Sequence, residues 1–580
     1  MASRGLAIAA ERGVEFAREF IADMKDLGDW AQIEPFFERL AEGIEQVQTP
    51  EALERWLGQL SELEAALDEE YSRRYIAMTC RTDDLDLERA YLEYLEQVVP
   101  RIKTWRQRLS ERYLACPARQ KVEPRRLEVL DRSVENQVKL FREENIALQT
   151  EESKLGQVYQ KICGAMTIMW EGEEKTLQQM ARYQEEPART VRQRAWQAVA
   201  DRRLRDRGAI DDLFERMVEL RTRMAQNAGF SNFRDYKHRA YNRFDYTPED
   251  CRRFHETIRQ VVVPRLERQR RRRRERLGVE ALRPWDLRVD PVGGEPLRPF
   301  KEAEALAEGC GRIFERIDPE LGQQFDRMRK GGLLDLESRK GKAPGGYQCT
   351  LEEVRLPFIF MNAAGTQRDV MTLLHEGGHA FHTFASRREA LLDYRSAPME
   401  FSEVASMTME LFGLDHLDVF FEDAADRRRA RRRHLEDVFT LFPWIAQVDA
   451  FQHEIYLSPA QTAHHWEDIW VGLDETFGPG VEWSGLTAQR RSAWHRQLHL
   501  FEVPFYYIEY GIAQLGALQM WRRFREEPKA AVDRYRRALE LGGSRPLPEL
   551  FEAAGIRFDF SPEILEPAIQ AVAKELEAMD

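Results

Sequence analysis

Apolar residues recur every three or four positions through most of the first half of this sequence, and that spacing commits the chain to amphipathic helices. Residues 50–78, PEALERWLGQLSELEAALDEEYSRRYIAM, and 85–114, LDLERAYLEYLEQVVPRIKTWRQRLSERYL, carry the pattern in Glu, Leu, Arg and Ala, all good helix formers. Thr49-Pro50-Glu51 and Thr247-Pro248-Glu249-Asp250 are helix starts: a capping hydroxyl, then proline at the first helical position, then acid. One region, 345–362 (GGYQCTLEEVRLPFIFMN), reads as β, with paired glycines, β-branched and aromatic residues and a polar turn at Glu352-Glu353. The expected fold class is mostly α, with a small β-sheet beside the helix that follows this region. No fixed-period repeat or low-complexity linker divides the chain. The softest break, Glu185-Glu186-Pro187, gives an N-terminal helical domain over 1–186 and a second domain over 187–580.

Composition narrows the partners. A chain of 580 residues with 43% hydrophobic and 32% charged residues can bury a large core, which a disordered chain cannot. A net charge of −13 argues against nucleic acid, whose phosphates need a basic surface. Two Arg-rich runs, 268–276 and 427–433, fit solvated helix faces better than an anionic partner site. No apolar stretch approaches the roughly 18 residues of a membrane span, and the N-terminal apolar patch is short for a signal-peptide core. Six scattered cysteines read as reduced thiols. The expected location is cytoplasmic; oligomeric state is not fixed by the sequence.

The chemistry lies in the helix that follows the β region, DVMTLLHEGGHAFHTFAS. His375 and His379 are four residues apart, so they project from one face about one turn apart and can share a tetrahedral zinc, one per chain. Glu376 can then reach a metal-bound water without occupying the metal, and serve as general base. The glycines at 377 and 378 weaken a helix and so predict close approach of another element. His382 shares the motif face, where surface or packing fits better than ligation.

A catalytic zinc needs a third protein ligand and an open position. The next helical segment, SAPMEFSEVASMTMELFGL, offers Glu400, Glu403 and Glu410. Spacing alone permits either Glu400 or Glu403 as ligand, with Glu410 behind as acceptor for a ligand histidine. Downstream, Tyr507 and Tyr510 lie three apart on an expected helical face with His499 just before them, which without further information reads as an aromatic core stripe.

HEGGHAFH followed by FSEVASMTMEL resembles the M3 family of zinc metallopeptidases, related to thimet oligopeptidase, and in particular its oligoendopeptidase F and Pz-peptidase branch. RKGKAPGGYQCT, PFIFMNAAGTQRDVMTLLHE and HLFEVPFYYIEYGIAQLGALQMW extend the likeness over most of 190–560. The resemblance selects Glu403 as third ligand and places Glu410 at the second acidic position. It assigns His499, Tyr507 and Tyr510 to substrate and transition-state binding. It implies that the stretch before the zinc helix is an edge strand pairing with substrate, with Gly365-Thr366 as an adjoining flexible substrate-binding loop. It also implies a helical ellipsoid around a deep channel, with the N-terminal domain as one wall. The expected activity is internal hydrolysis of short, unstructured oligopeptides, with neither nucleic acid nor membrane as partner. Trimming of terminal dipeptides is the alternative within the class, and a helical scaffold with structural zinc the alternative outside it.

Overall fold

The computed structural model describes residues 15–458 and 462–579; the N-terminal apolar patch lies almost wholly outside them. Among the described residues helices dominate, with five short strands and connecting loops between them. Thr49 and Thr247 cap the helices Pro50–Cys80 and Pro248–Val261, and Thr247 completes a capping box with Asp250. The second periodic stretch is two helices, Leu85–Gln97 and Val99–Ala115. Pro100 has no N–H to continue the first, so the chain restarts around it. The first helices bury Leu40, Trp56, Leu67 and Tyr113 in a core that also takes Leu391 and Tyr394. Leu155 and Tyr159, on Glu143–Gly164, pack with Phe214, Trp494 and Phe501 instead.

The β region forms β4 (Tyr347–Leu351) and β5 (Leu356–Ala363), joined by a turn at 352–355. A third strand, β3 (Leu334–Glu337), runs parallel to β5, so the sheet order is β3-β5-β4. Sequence reasoning missed β3 and a separate hairpin, β1 (Thr167–Trp170) with β2 (Glu173–Thr176). Each is four residues long: β2 is largely charged, and the Leu-Asp-Leu-Glu alternation of β3 is too short to mark a strand by itself. The hairpin turn rests on Glu171 and Gly172, both at positive φ.

One expectation needs correcting. The stretch immediately before the motif helix, β5, is the central strand, almost wholly buried, and has no free edge. The exposed edge is β4, antiparallel to β5 with Tyr347 opposite Phe360 and Leu351 opposite Leu356. Residues 345–350 line a cavity of about 1560 Å3 that penetrates the molecule.

The Arg-rich runs also differ from expectation. Arg268, Arg271 and Arg274 are exposed as solvated residues should be. Arg270 and Arg273, in contrast, turn inward and donate to the carbonyls of Pro479 (2.6 Å) and Val289 (2.5 Å). In the second run Arg429, Arg431 and Arg433 pair with Asp290, Glu575 and Glu185. Acids from distant elements neutralise them, a pairing that local sequence cannot reveal. All six cysteines are free thiols. Among the described residues no helix is long and apolar enough to cross a membrane.

Candidate metal centre

The motif helix runs Gln367–Ser386. Its start is fixed by Thr366, whose backbone N–H and hydroxyl both donate to Asp369 Oδ2, at 2.7 and 3.0 Å. Gly365, at φ +83°, is buried just before it. The pair thus forms the turn and cap that open the helix, and Thr366 lines the cavity. The close approach expected at the two glycines is present. A Cβ on Gly378 would meet Ser406 Cα at 2.5 Å and Ala405 O at 2.6 Å; one on Gly377 would meet the Phe314 ring at 2.4 Å. The Gly378 contact seats the motif helix against Met399–Gly413, which carries the three candidate acids, and the Gly377 contact seats it against the helix Ala303–Ile317.

That seating separates Glu403 from Glu400. Glu403 Oε2 lies 3.2 Å from His375 Nε2 and 3.4 Å from His379 Nε2. Ligand atoms held about 2.0–2.2 Å from one tetrahedral centre sit about 3.3–3.6 Å apart, so this spacing fits a single zinc. His375, His379 and Glu403 form the one such group of potential ligands among the described residues. Glu400 faces elsewhere: it accepts from Tyr246 at 2.7 Å and lies 3.9 Å from Arg243. Glu410 Oε1 accepts from His375 Nδ1 at 2.7 Å, which leaves Nε2 turned toward Glu403. Burial alone would lower the His375 pKa, but Glu403 and Glu410 hold it well above the ordinary value. Burial would raise Glu403, and the two histidines instead hold it well below. The cluster is built to hold positive charge.

Glu376 is buried in the cavity wall, and its Oε2 has no hydrogen-bond partner in the protein. Burial raises its pKa, and Glu403 and Glu410 add to that against the opposing pull of His375 and His379. His382 is buried against Phe401, its rings 6.3 Å apart, and is not among the ligand group. Burial lowers its pKa to about 3, so it packs as a neutral ring.

The aromatic segment lies across the cavity. Its helix begins at Ile508, so Tyr507 occupies the cap and the three-residue spacing from Tyr507 to Tyr510 crosses a helix start. Sequence reasoning missed Tyr506, whose hydroxyl donates to Glu403 Oε1 at 2.6 Å. The turn that brings it there rests on Phe505 at φ +63°, an unusual conformation that no residue pattern announces. Ser406 was also missed; its Oγ donates to Glu403 Oε2 at 2.9 Å. Tyr510 OH lies 3.0 Å from His499 Nε2, and the Tyr507 ring meets the His499 ring edge-on at 5.0 Å.

Comparisons with known proteins came to the same place. The pattern of Peptidase family M3 matches residues 182–568, and that of the Peptidase M3 N-terminal domain matches 27–141. Oligopeptidase PepF of Bacillus subtilis is 26% identical over 269 residues, 45% of this chain and 39% of that protein. The Oligoendopeptidase F homolog of Borreliella burgdorferi is 24% identical over 258 residues, 42% of this chain and 43% of that protein. The matched part thus spans about two fifths of either curated relative. A solved Pz peptidase A with inhibitor superposes with TM-score 0.92 at 28% identity, covering 97% of this chain and 100% of that one. An oligoendopeptidase F from Bacillus anthracis str. Ames gives 0.87 at 25%, covering 98% of each chain. The chain belongs to peptidase family M3, in its oligoendopeptidase F branch.

Proposed function

We propose that this protein is a zinc-dependent endopeptidase that hydrolyses internal bonds of short, unstructured oligopeptides, and that it works in the cytoplasm. The observation that carries the reading is the convergence of His375, His379 and Glu403 at zinc-ligand spacing in a cavity wall, with the unpartnered Glu376 carboxylate beside them.

His375, His379 and Glu403 would hold the metal, Glu410 and Tyr506 fixing the orientation of the first and third. A bound zinc polarises a peptide carbonyl and lowers the pKa of its water to about 7. Glu376 takes the proton of the attacking water and passes it to the leaving amine, a role for which a free, raised-pKa carboxylate is suited. Developing negative charge on the carbonyl oxygen requires a donor on the far side.

The hydrogen-bond chain there supports Tyr510 as that donor. Trp444 Nε1 can only donate, and it donates to Gln497 Oε1 at 3.2 Å, so the Gln497 amide nitrogen faces His499 Nδ1 at 2.8 Å. His499 is neutral, its pKa lowered to about 4 by burial, so its proton sits on Nε2 and is donated to the Tyr510 oxygen. The Tyr510 O–H is left to donate into the cavity. Tyr506 already donates to Glu403, and the Tyr507 phenol is engaged by Trp444 and Gln497, its ring meeting His499 edge-on.

The backbone edge of β4 is proposed to pair with extended substrate, with Thr366 nearby and Gly365 giving the turn into the helix cap. Tyr75, Thr79 and Gln160 line the cavity together with residues after 187, which supports residues 1–186 as one channel wall. Metal analysis with an assay on an internally quenched peptide tests the reading. One zinc per chain and cleavage of the free peptide are expected, with the same sequence surviving inside a folded protein. A metal-loaded protein that cuts no peptide would contradict it.

A further inference from the structure

Beyond Tyr507 the cavity wall carries four guanidiniums that pair with no carboxylate. Arg203, Arg288, Arg368 and Arg496 line the same cavity as His375 and Glu376. Arg368 precedes His375 by seven residues on the motif helix. Seven residues are close to two turns, so the two share a face about 10 Å apart along the axis. Arg496 lies three residues before His499, its guanidinium 4.7 Å from the Trp444 ring centroid. Arg368 and Arg496 both act on the Tyr507 phenol, while Arg368, Arg496 and Arg433 act on Arg288 and Arg203 acts on Arg496. The four belong to one neighbourhood.

The nearby acids are already engaged. Glu185, beside Arg288, is bonded by Arg298 and Arg433. Asp474, beside Arg496, accepts from Arg490 at 2.7 Å. Among the described residues no carboxylate forms an ion pair with Arg203, Arg288, Arg368 or Arg496. Burial, then the neighbouring guanidiniums, pushes Arg288 and Arg496 down to about 10. Arg203 and Arg288 are half-buried and Arg368 and Arg496 open to the cavity, and the mutual repulsion of like charges so placed costs stability in a chain whose net charge is −13 and which has acids to place there. An anionic ligand would offset that cost, as guanidinium forks match carboxylates in geometry and charge.

We propose that this cluster binds a carboxylate of the peptide substrate, so that the protein selects peptides bearing an acidic group about three residues, or about 10 Å of extended chain, from the bond cut. The group is an Asp or Glu side chain or the peptide's C-terminal carboxylate. The inference rests on the peptidase reading and names the substrate class of the same cavity.

A matched set of labelled peptides tests it: Glu against Gln at each position in turn, with the C-terminus free or amidated. Binding is read by fluorescence anisotropy on the metal-loaded Glu376→Gln protein, and cleavage on the parent. One carboxylate source should raise affinity at least about tenfold, and added salt should weaken that gain. Arg288→Gln combined with Arg496→Gln should bring the acidic-to-neutral ratio near unity, while Lys at both positions should retain part of it. Equal binding of acidic and neutral peptides, or a preference untouched by the double variant, would overturn the proposal whether or not the parent cleaves them. Acidic preference in binding with no cleavage of any peptide would support the carboxylate site and overturn the peptidase reading.

Discussion

Glu400 and Glu403 are both buried, both on one helix and three residues apart, yet their surroundings have opposite consequences. Glu400 belongs to a network with Tyr246, Arg243 and Glu509, groups that come from remote parts of the chain. Spacing left the two acids open because they differ only in rotation about the helix, which tertiary contact decides. Glu403→Ala should lose the metal. Glu400→Ala should keep it but lose about 1–3 kcal/mol of stability, since the buried Tyr246 hydroxyl loses its 2.7 Å acceptor and is left with Glu509 at 3.4 Å, while Arg243 keeps Glu509 and the Phe505 carbonyl. Metal content and chemical unfolding separate the two, and a reversed pattern would remove Glu403 as ligand. The donor chain through Gln497 and His499 predicts that Tyr510→Phe costs about 2.7–4 kcal/mol, mostly in kcat, with metal content unchanged. Full kcat in that variant would return Tyr510 to an aromatic packing role. The histidine pair and Glu376 were legible because a local helical period carries them. Tyr506 was not, because it depends on the backbone reversal at Phe505.

At the scale of elements, capping and periodicity predicted the helix starts at Pro50 and Pro248, and the glycine pair predicted helix-to-helix contact. What local pattern could not supply was order within the sheet. β4 and β5 follow one another in sequence, but only the insertion of β5 between β3 and β4 makes β4 the edge beside the cavity. The contact at Gly378 is close enough to have a measurable consequence. Gly378→Ala raises helix propensity by about 1 kcal/mol, but its methyl would overlap the Ser406 and Ala405 backbone. We expect net destabilisation of about 1–3 kcal/mol and weaker metal retention, because Glu403 shares the displaced helix. An unchanged or higher denaturation midpoint would show that the two helices can separate without penalty.

Across the whole molecule, helical periodicity indicated a large, mostly α body and the family resemblance implied a deep channel, while the residues that line the cavity, its arginine wall among them, emerged only from long-range packing. Folding also leaves a titration signature. Burial pushes Glu502 up to about 8 against the hydrogen bonds of Gln160 and Tyr75; unfolded, it titrates near the ordinary value of about 4.3. Between those values the folded state holds a proton the unfolded state has lost, so the Glu502 contribution falls as pH rises through the window. Glu502→Gln should therefore gain stability relative to the parent with rising pH, up to about pH 8, in thermal unfolding; a pH-independent difference would contradict this. The zinc-peptidase account itself turns on Glu376, and paired metal and turnover measurements on Glu376→Gln test it most directly. The amide cannot accept a proton but leaves His375, His379 and Glu403 in place. The account predicts near-stoichiometric zinc in both proteins, with cleavage of a quenched peptide by the parent and almost none by the variant. A zinc-replete Glu376→Gln protein that cleaves at the parent's rate would contradict it.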